Sequence, residues 1–226
     1  MTDLSPAFPF AIVGFDLDGT LLDTGEDLAS AANHALSVVG RAPLPVAKVV
    51  ARVGGGTRNM LTQVLEATGG ADEELVERLL PELLAYYQAH MTVHTRPYPG
   101  VVEALNALTE HGVWMGVVTN KLERFATALL AATGLADRFG CVIGGDTTGL
   151  AAIKPAPDAI LLLRERLGEG RAAFVGDSNF DVMAAKAAGV PVIACRFGFS
   201  SDGVDALGAD GVIDGFDGLI PALERL

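Results

Sequence analysis

The stretch FDLDGTLLDT, residues 15–24, decides how the rest of the chain is read. It closes a short apolar run, residues 11–16, with the length and β-branched character of a buried strand. In an open parallel sheet, ligands bind beyond the carboxyl ends of the strands, so Asp16 and Asp18 are expected to project into such a crevice. Two carboxylates one residue apart point the same way while the chain stays extended. Like charges so close call for a cation, a shared proton or both. Gly19 permits a tight turn, and Thr20 offers a hydroxyl or an amide to whatever sits there.

Outward from this stretch, residues 113–119, 141–144, 172–176 and 190–195 read as further strands. Helical patterns at 101–111, 122–133, 157–167 and 179–188 separate them, and this alternation predicts an α/β fold with a doubly wound parallel sheet. The region before residue 101 breaks the alternation, because 26–39, 58–67 and 72–90 are all helix-like with no strand among them. It is read as an inserted α-helical cap domain, residues 23–95, interrupting a core made of residues 1–22 and 96–226. Asp23-Thr24-Gly25 marks one edge. Thr95-Arg96-Pro97-Tyr98-Pro99-Gly100 marks the other, where two prolines hold the chain extended and make a hinge.

The chain has 226 residues, with 28 Asp and Glu against 16 Lys and Arg, a net charge of −12. Such acidity repels nucleic-acid backbones and anionic membrane surfaces, so neither is an expected partner. No apolar run reaches the roughly 18–20 residues a membrane span needs, and no basic start or cleavage site of a secretory signal is visible. Cys141 and Cys195 lie in apolar stretches and read as buried thiols of a cytoplasmic protein. A monomer or a homodimer is expected.

Three more motifs fall at strand ends. In VVTNK, residues 117–121, Thr119 and the amides after it form a donor array for an anion near a helix start. In IKPAPD, residues 153–158, Lys154 is a point charge for a phosphoryl oxygen. VGDSNFD, residues 175–181, places Asp177 at a strand end and Asp181 a helical turn later, hard oxygen ligands of the kind that suit Mg²⁺. Each has a plain alternative as a turn, a cap or a solvated loop; Asp177 with Ser178, for example, could simply cap a helix. Their shared location at one end of one sheet favours the functional reading.

In these four motifs, DLDGT, TNK, KP and GDSNFD, the chain resembles the haloacid dehalogenase superfamily of phosphatases. The resemblance spans nearly the whole sequence. The cap looks like that of the subgroup including phosphoglycolate phosphatase, as do GEDLASAANHAL (25–36), VGGGTRNML (53–61), TRPYPGVVEAL (95–105), GGDTTG (144–149), FGFS (197–200) and GADGVIDGFDGL (208–219). The resemblance implies a Mg²⁺-dependent phosphomonoesterase acting on a small phosphate ester, with 2-phosphoglycolate the first expectation. Asp16 would be the nucleophile, forming an aspartyl-phosphate, and Asp18 the general acid and then base. Thr119, the Asn120 amide and Lys154 would hold the phosphoryl oxygens, with Thr20 beside them. Asp16, the main-chain carbonyl of Asp18, Asp177 and Asp181 would hold the metal.

Asp18 argues against a dehalogenase or a P-type ATPase, and Leu28 stands where mutases carry a histidine. Lys48, the sole lysine between 23 and 95, reads as a surface charge rather than a Schiff-base residue. Arg58, which follows Gly54-Gly55-Gly56-Thr57, either pairs with a substrate carboxylate or is a solvated residue on a first helical turn. Alternatives are the same chemistry on pyrophosphate, a sugar phosphate or a nucleotide, and a receiver-type signalling module, which needs only about half this length and no cap. Mg²⁺ and Lys154 return +3 against the −4 of the four aspartates, and protonation of Asp18 balances the remainder. Binding of a phosphate ester is therefore expected to need the metal.

Overall fold

In the computed structural model, which describes residues 8–200 and 203–226, β1 (Ile12–Phe15) is buried along its whole length. A strand covered on both faces needs no polar alternation, and IVGF has none. The chain continues through β2 (Leu22–Asp23), α1 (Gly25–Val38), α2 (Val46–Val50), α3 (Thr57–Glu66), α4 (Glu73–His90) and β3 (Arg96–Pro97). It then alternates: α5 (Val101–Glu110), β4 (Trp114–Val118), α6 (Glu123–Ala132), β5 (Cys141–Ile143), α7 (Asp158–Leu167), β6 (Ala172–Gly176), α8 (Asn179–Ala187), β7 (Val192–Cys195), β8 (Gly211–Ile213) and α9 (Leu219–Glu224).

Six strands form one parallel sheet in the order β5-β4-β1-β6-β7-β8. The chain winds to one side of β1 through β4 and β5, then returns to the other through β6. The topological switch therefore lies at β1, and there the ends of three strands come level: Phe15 stands opposite both Val117 and Val175. The first residues beyond them are Asp16, Thr119 and Asp177. α7 packs closely on the lower strands because Gly14 and Gly116 have no side chain; a Cβ on either would come within 2.6 or 2.4 Å of Leu163.

The helices between β2 and β3 bury one another's apolar stripes. Leu28, Ala31, Ala32, Ala35 and Leu36 are buried along α1 at helical spacing, and Val76, Leu79, Leu83 and Tyr87 along α4. Asp72 caps α4, accepting from the Leu75 amide at 2.8 Å, and Glu73 and Glu74 suit the positive end of its dipole. The chain enters and leaves this helical region through a two-stranded antiparallel pairing, Leu22 with Pro97 and Asp23 with Arg96. The Tyr98 amide adds a bond to the Leu21 carbonyl at 3.1 Å.

Some elements differ from the sequence reading. The core strands at 11–16, 113–119, 141–144 and 190–195 are each one or two residues shorter than their apolar runs. β2, β3, β8, α2 and α9 carry too few residues for a periodic signal. Cys141 is half-buried rather than buried, whereas Cys195 is buried, and both are free thiols. Residues 1–7 of the expected core lie outside the described residues. Among the described residues no helix is long and apolar enough to cross a membrane.

Candidate active site

Asp16, Asp177 and Asp181 are all buried, and one carboxylate oxygen from each lies within 4.8 Å of the others. Lys154 reaches into this group from the loop before α7. Its Nζ stands 2.8 Å from Asp16 Oδ1, donates to Asp181 Oδ1 at 2.6 Å and donates to the Val118 carbonyl at 3.0 Å. The contact with Asp16 is an ion pair without hydrogen-bond alignment, so that buried oxygen has no hydrogen-bonded partner in the protein. Asp181 is fully committed: its Oδ2 accepts from the Ser178 amide at 3.0 Å and hydroxyl at 2.5 Å, a capping box at the start of α8. Asp177 Oδ2 accepts from the Phe199 amide at 2.6 Å.

Three buried carboxylates against one ammonium leave an excess of negative charge. Burial, outweighing the attraction of Lys154, pushes the Asp16 carboxyl up to about 7. Burial, with Asp181 and Asp16 adding to it, raises Asp177 well above its ordinary value. Lys154 is driven upward despite its burial, because Asp16 and Asp181 face it.

Asp18 is held apart from this group. Its Oδ1 accepts from the Thr24 hydroxyl at 2.7 Å, and its Oδ2 lies 2.8 Å from Lys121 Nζ. Lys121 is itself buried, with its ammonium 4.7 Å from the centre of the Tyr87 ring on α4. Burial pushes the Tyr87 hydroxyl up to about 12. Neither Lys121 nor Tyr87 stood out in the sequence. Lys121 sits within VVTNK, but its partner depends on the register of β1 against β4, and Tyr87 has the spacing of an ordinary core residue.

These groups open on a small cleft lined by Asp16, Asp18, Thr119 and Lys121 below. Leu28, Val53 and Met60 roof it from the helical region, with Gly54, Gly56 and Thr57 beside them. It encloses about 40 Å³, and a water needs about 10–15 Å³ of such space, so it has room for a few waters. Asn120 borders the cleft but its side chain is spent on structure, donating to the carbonyls of Gly54 at 2.7 Å and Lys154 at 2.8 Å. Thr20 is buried, and its hydroxyl points to Asp177 Oδ1 at 3.5 Å. Arg58 does not line the cleft. It borders a neighbouring groove with Leu80, Leu84 and Ile153, 3.0 Å from Glu73 and also paired with Glu77. Lys48 is exposed.

The architecture has close relatives. A crystal structure described as a "predicted phosphoglycolate phosphatase" from Haemophilus somnus 129PT superposes with a TM-score of 0.87 at 29% identity, covering 94% of this chain and 97% of that one. The phosphoglycolate phosphatase of Agrobacterium fabrum is 39% identical over 222 residues, 96% of this chain and 93% of that protein. That of Rhodospirillum rubrum is 40% identical over 93% of this chain and 89% of its own length. The sequence model of the haloacid dehalogenase-like hydrolases matches residues 13–195, so with its parallel sheet and strand-end aspartates the chain belongs to that family of hydrolases.

Proposed function

We propose that the protein is a Mg²⁺-dependent phosphatase of short phosphate esters, with 2-phosphoglycolate as its substrate. The observation that carries the reading is the convergence of Asp16, Thr119 and Asp177 just beyond the ends of three neighbouring strands, with Lys154 brought to Asp16 from the loop before α7 rather than from a strand end, and with Leu28, Val53 and Met60 roofing the cleft over Asp16 and Thr119. The phosphoglycolate phosphatases of A. fabrum and R. rubrum support the substrate.

The residues fit a divalent cation. Asp16, Asp177 and Asp181 offer hard oxygen donors, and Asp16 Oδ1 has no hydrogen-bonded partner. Charge agrees: Asp16, Asp18, Asp177 and Asp181 carry −4, and Lys154 and Lys121 return +2. A divalent ion balances the rest in the empty site, and the negative charge that the ester adds favours the protonated Asp18 that the reaction needs. Asp16 and Asp177 would be its direct ligands, while the commitments of Asp181 to Ser178 and Lys154 suit a supporting role. When bound, the metal offsets the charge of the phosphoryl oxygens and keeps Asp16 ionised.

In the reaction, an Asp16 carboxylate oxygen attacks phosphorus and the ester P–O bond breaks. Asp18 gives its proton to the departing alkoxide. Asp18, now a carboxylate, takes a proton from a water whose oxygen attacks the aspartyl-phosphate, freeing Asp16 and inorganic phosphate. Lys154 and the Thr119 hydroxyl stabilise the phosphoryl oxygens as charge spreads over them. Thr20 serves by positioning Asp177, and Asn120 by fixing the loop of Lys154.

Residues 23–95 act as a cap that closes over the ester and sets its size. The cleft as it stands admits little more than waters, so entry of even a short ester requires the cap to move. The test is phosphate release from 2-phosphoglycolate with and without MgCl₂, for wild type and Asp16→Asn. Metal-dependent release, abolished in the variant, is expected. Faster hydrolysis of pyrophosphate or a sugar phosphate would overturn the substrate assignment.

A further inference from the structure

The mechanism gives Lys121 no task beyond its contact with Asp18, yet its side chain is only 4% exposed, and burying an ammonium is costly. An ammonium has three N–H donors. Asp18 Oδ2 pairs with it at 2.8 Å, the Tyr87 ring covers another side, and the side chain still borders the cleft. Among the described residues lining the cleft, Lys121 is the sole cation. Lys154, which serves the phosphoryl group, is held by Asp16, Asp181 and the Val118 carbonyl and does not line the cleft, and Arg58 faces another groove with two glutamates as partners.

The roof makes this selective. Leu28, Val53 and Met60 offer nothing to a second charge on the ester, so an anionic substituent has one counterion in reach. Lys121 contacts Asp18, two residues from the nucleophile, so the anion it serves must be close to the phosphoryl group. The small cleft requires it to be compact as well. We infer that Lys121 is the specificity residue, binding the carboxylate of a short phosphorylated 2-hydroxy acid whose phosphoryl group lies at Asp16. The inference rests on the phosphatase reading and names the group that selects its substrate.

The test compares 2-phosphoglycolate with n-propyl phosphate, of similar size but without the carboxylate, using the Mg²⁺-loaded enzyme. Wild type is expected to prefer the carboxylated ester by about 10- to 100-fold in kcat/KM, the worth of one charged hydrogen bond. Lys121→Met should lose most of that preference through the KM for 2-phosphoglycolate, and Lys121→Arg should restore part of it. An equal fall in kcat on both esters would mean that Lys121 only holds Asp18, and would overturn the inference. So would a wild type that hydrolyses both equally, a result that needs no variant to fold. The phosphatase reading fails by a different result, the absence of Mg²⁺-dependent phosphate release from either ester by wild type, and the inference falls with it.

Discussion

Asn120 ties the floor of the cleft to its roof through Gly54. One amide group of Asn120 donates to the Gly54 carbonyl at 2.7 Å and to the Lys154 carbonyl at 2.8 Å, while its oxygen accepts from the Lys154 amide at 2.9 Å. Asn120→Ala severs both links and leaves half-buried backbone groups without partners. A loss of about 1–3 kcal/mol is expected in urea denaturation, together with a raised KM. An unchanged unfolding midpoint would show that the tie carries no weight.

Metal and pH should act on the same carboxylates. In the metal-free protein the Asp16 carboxyl titrates near 7 instead of 3.8, and Asp177 is also raised. The folded state then binds these protons more tightly than the unfolded state. The Asp16 contribution is fully present below the unfolded value and is lost as pH rises through about 7. Mg²⁺ competes with those protons, so its stabilisation should grow over the same interval. Thermal unfolding should show a larger Tm gain from Mg²⁺ at pH 8 than at pH 5, and equal gains would refute this.

Asp181 is fully buried and satisfies both Lys154 and the first turn of α8. Asp181→Ala removes a partner from a buried ammonium and half of a capping box. With Mg²⁺ present, the expected loss is about 3 kcal/mol or more, the range for breaking a buried ion pair. A loss under about 1 kcal/mol, the worth of a cap alone, would show that Lys154 needs only Asp16.

Arg58 is anchored outside the cleft by Glu73 and Glu77. Arg58→Ala should therefore change kcat/KM for charged and uncharged esters alike, and by no more than about 3-fold, since exposed pairs of this kind are weak. A selective rise in KM for 2-phosphoglycolate would instead place Arg58 on the substrate carboxylate.

The strand-end aspartates were legible because each follows an apolar β-branched run, and the end of a parallel strand has a fixed place in the fold. The pairing of Lys121 with Asp18 was not, since it arises from the lateral register of two strands 100 residues apart in the chain. Thr20 was legible as a residue of the turn, but the turn at Gly19 carries its hydroxyl toward Asp177. The first-turn position of Arg58 on α3 could be read; its partners could not, because Glu73 and Glu77 belong to the next helix. β8 is three residues long, begins on Gly211 and is flanked by Gly208 and Gly215, too short and too glycine-rich for a periodic signal.

The pairing of β2 with β3 bears on how such a protein can change. Asp23 and Arg96 stand across a strand spacing of about 4.8 Å, so the ends of the excursion between them nearly meet. To the sheet, residues 24–95 amount to a long hairpin loop, and lengthening such a loop costs little, about 0.6 kcal/mol of closure entropy for each doubling. The sheet that carries Asp16 is thereby tolerant of changes in the length of the chain between those two residues. The shape of the roof over the cleft can thus change with the insert, while the strand-end carboxylates and Lys121 beneath it keep their places.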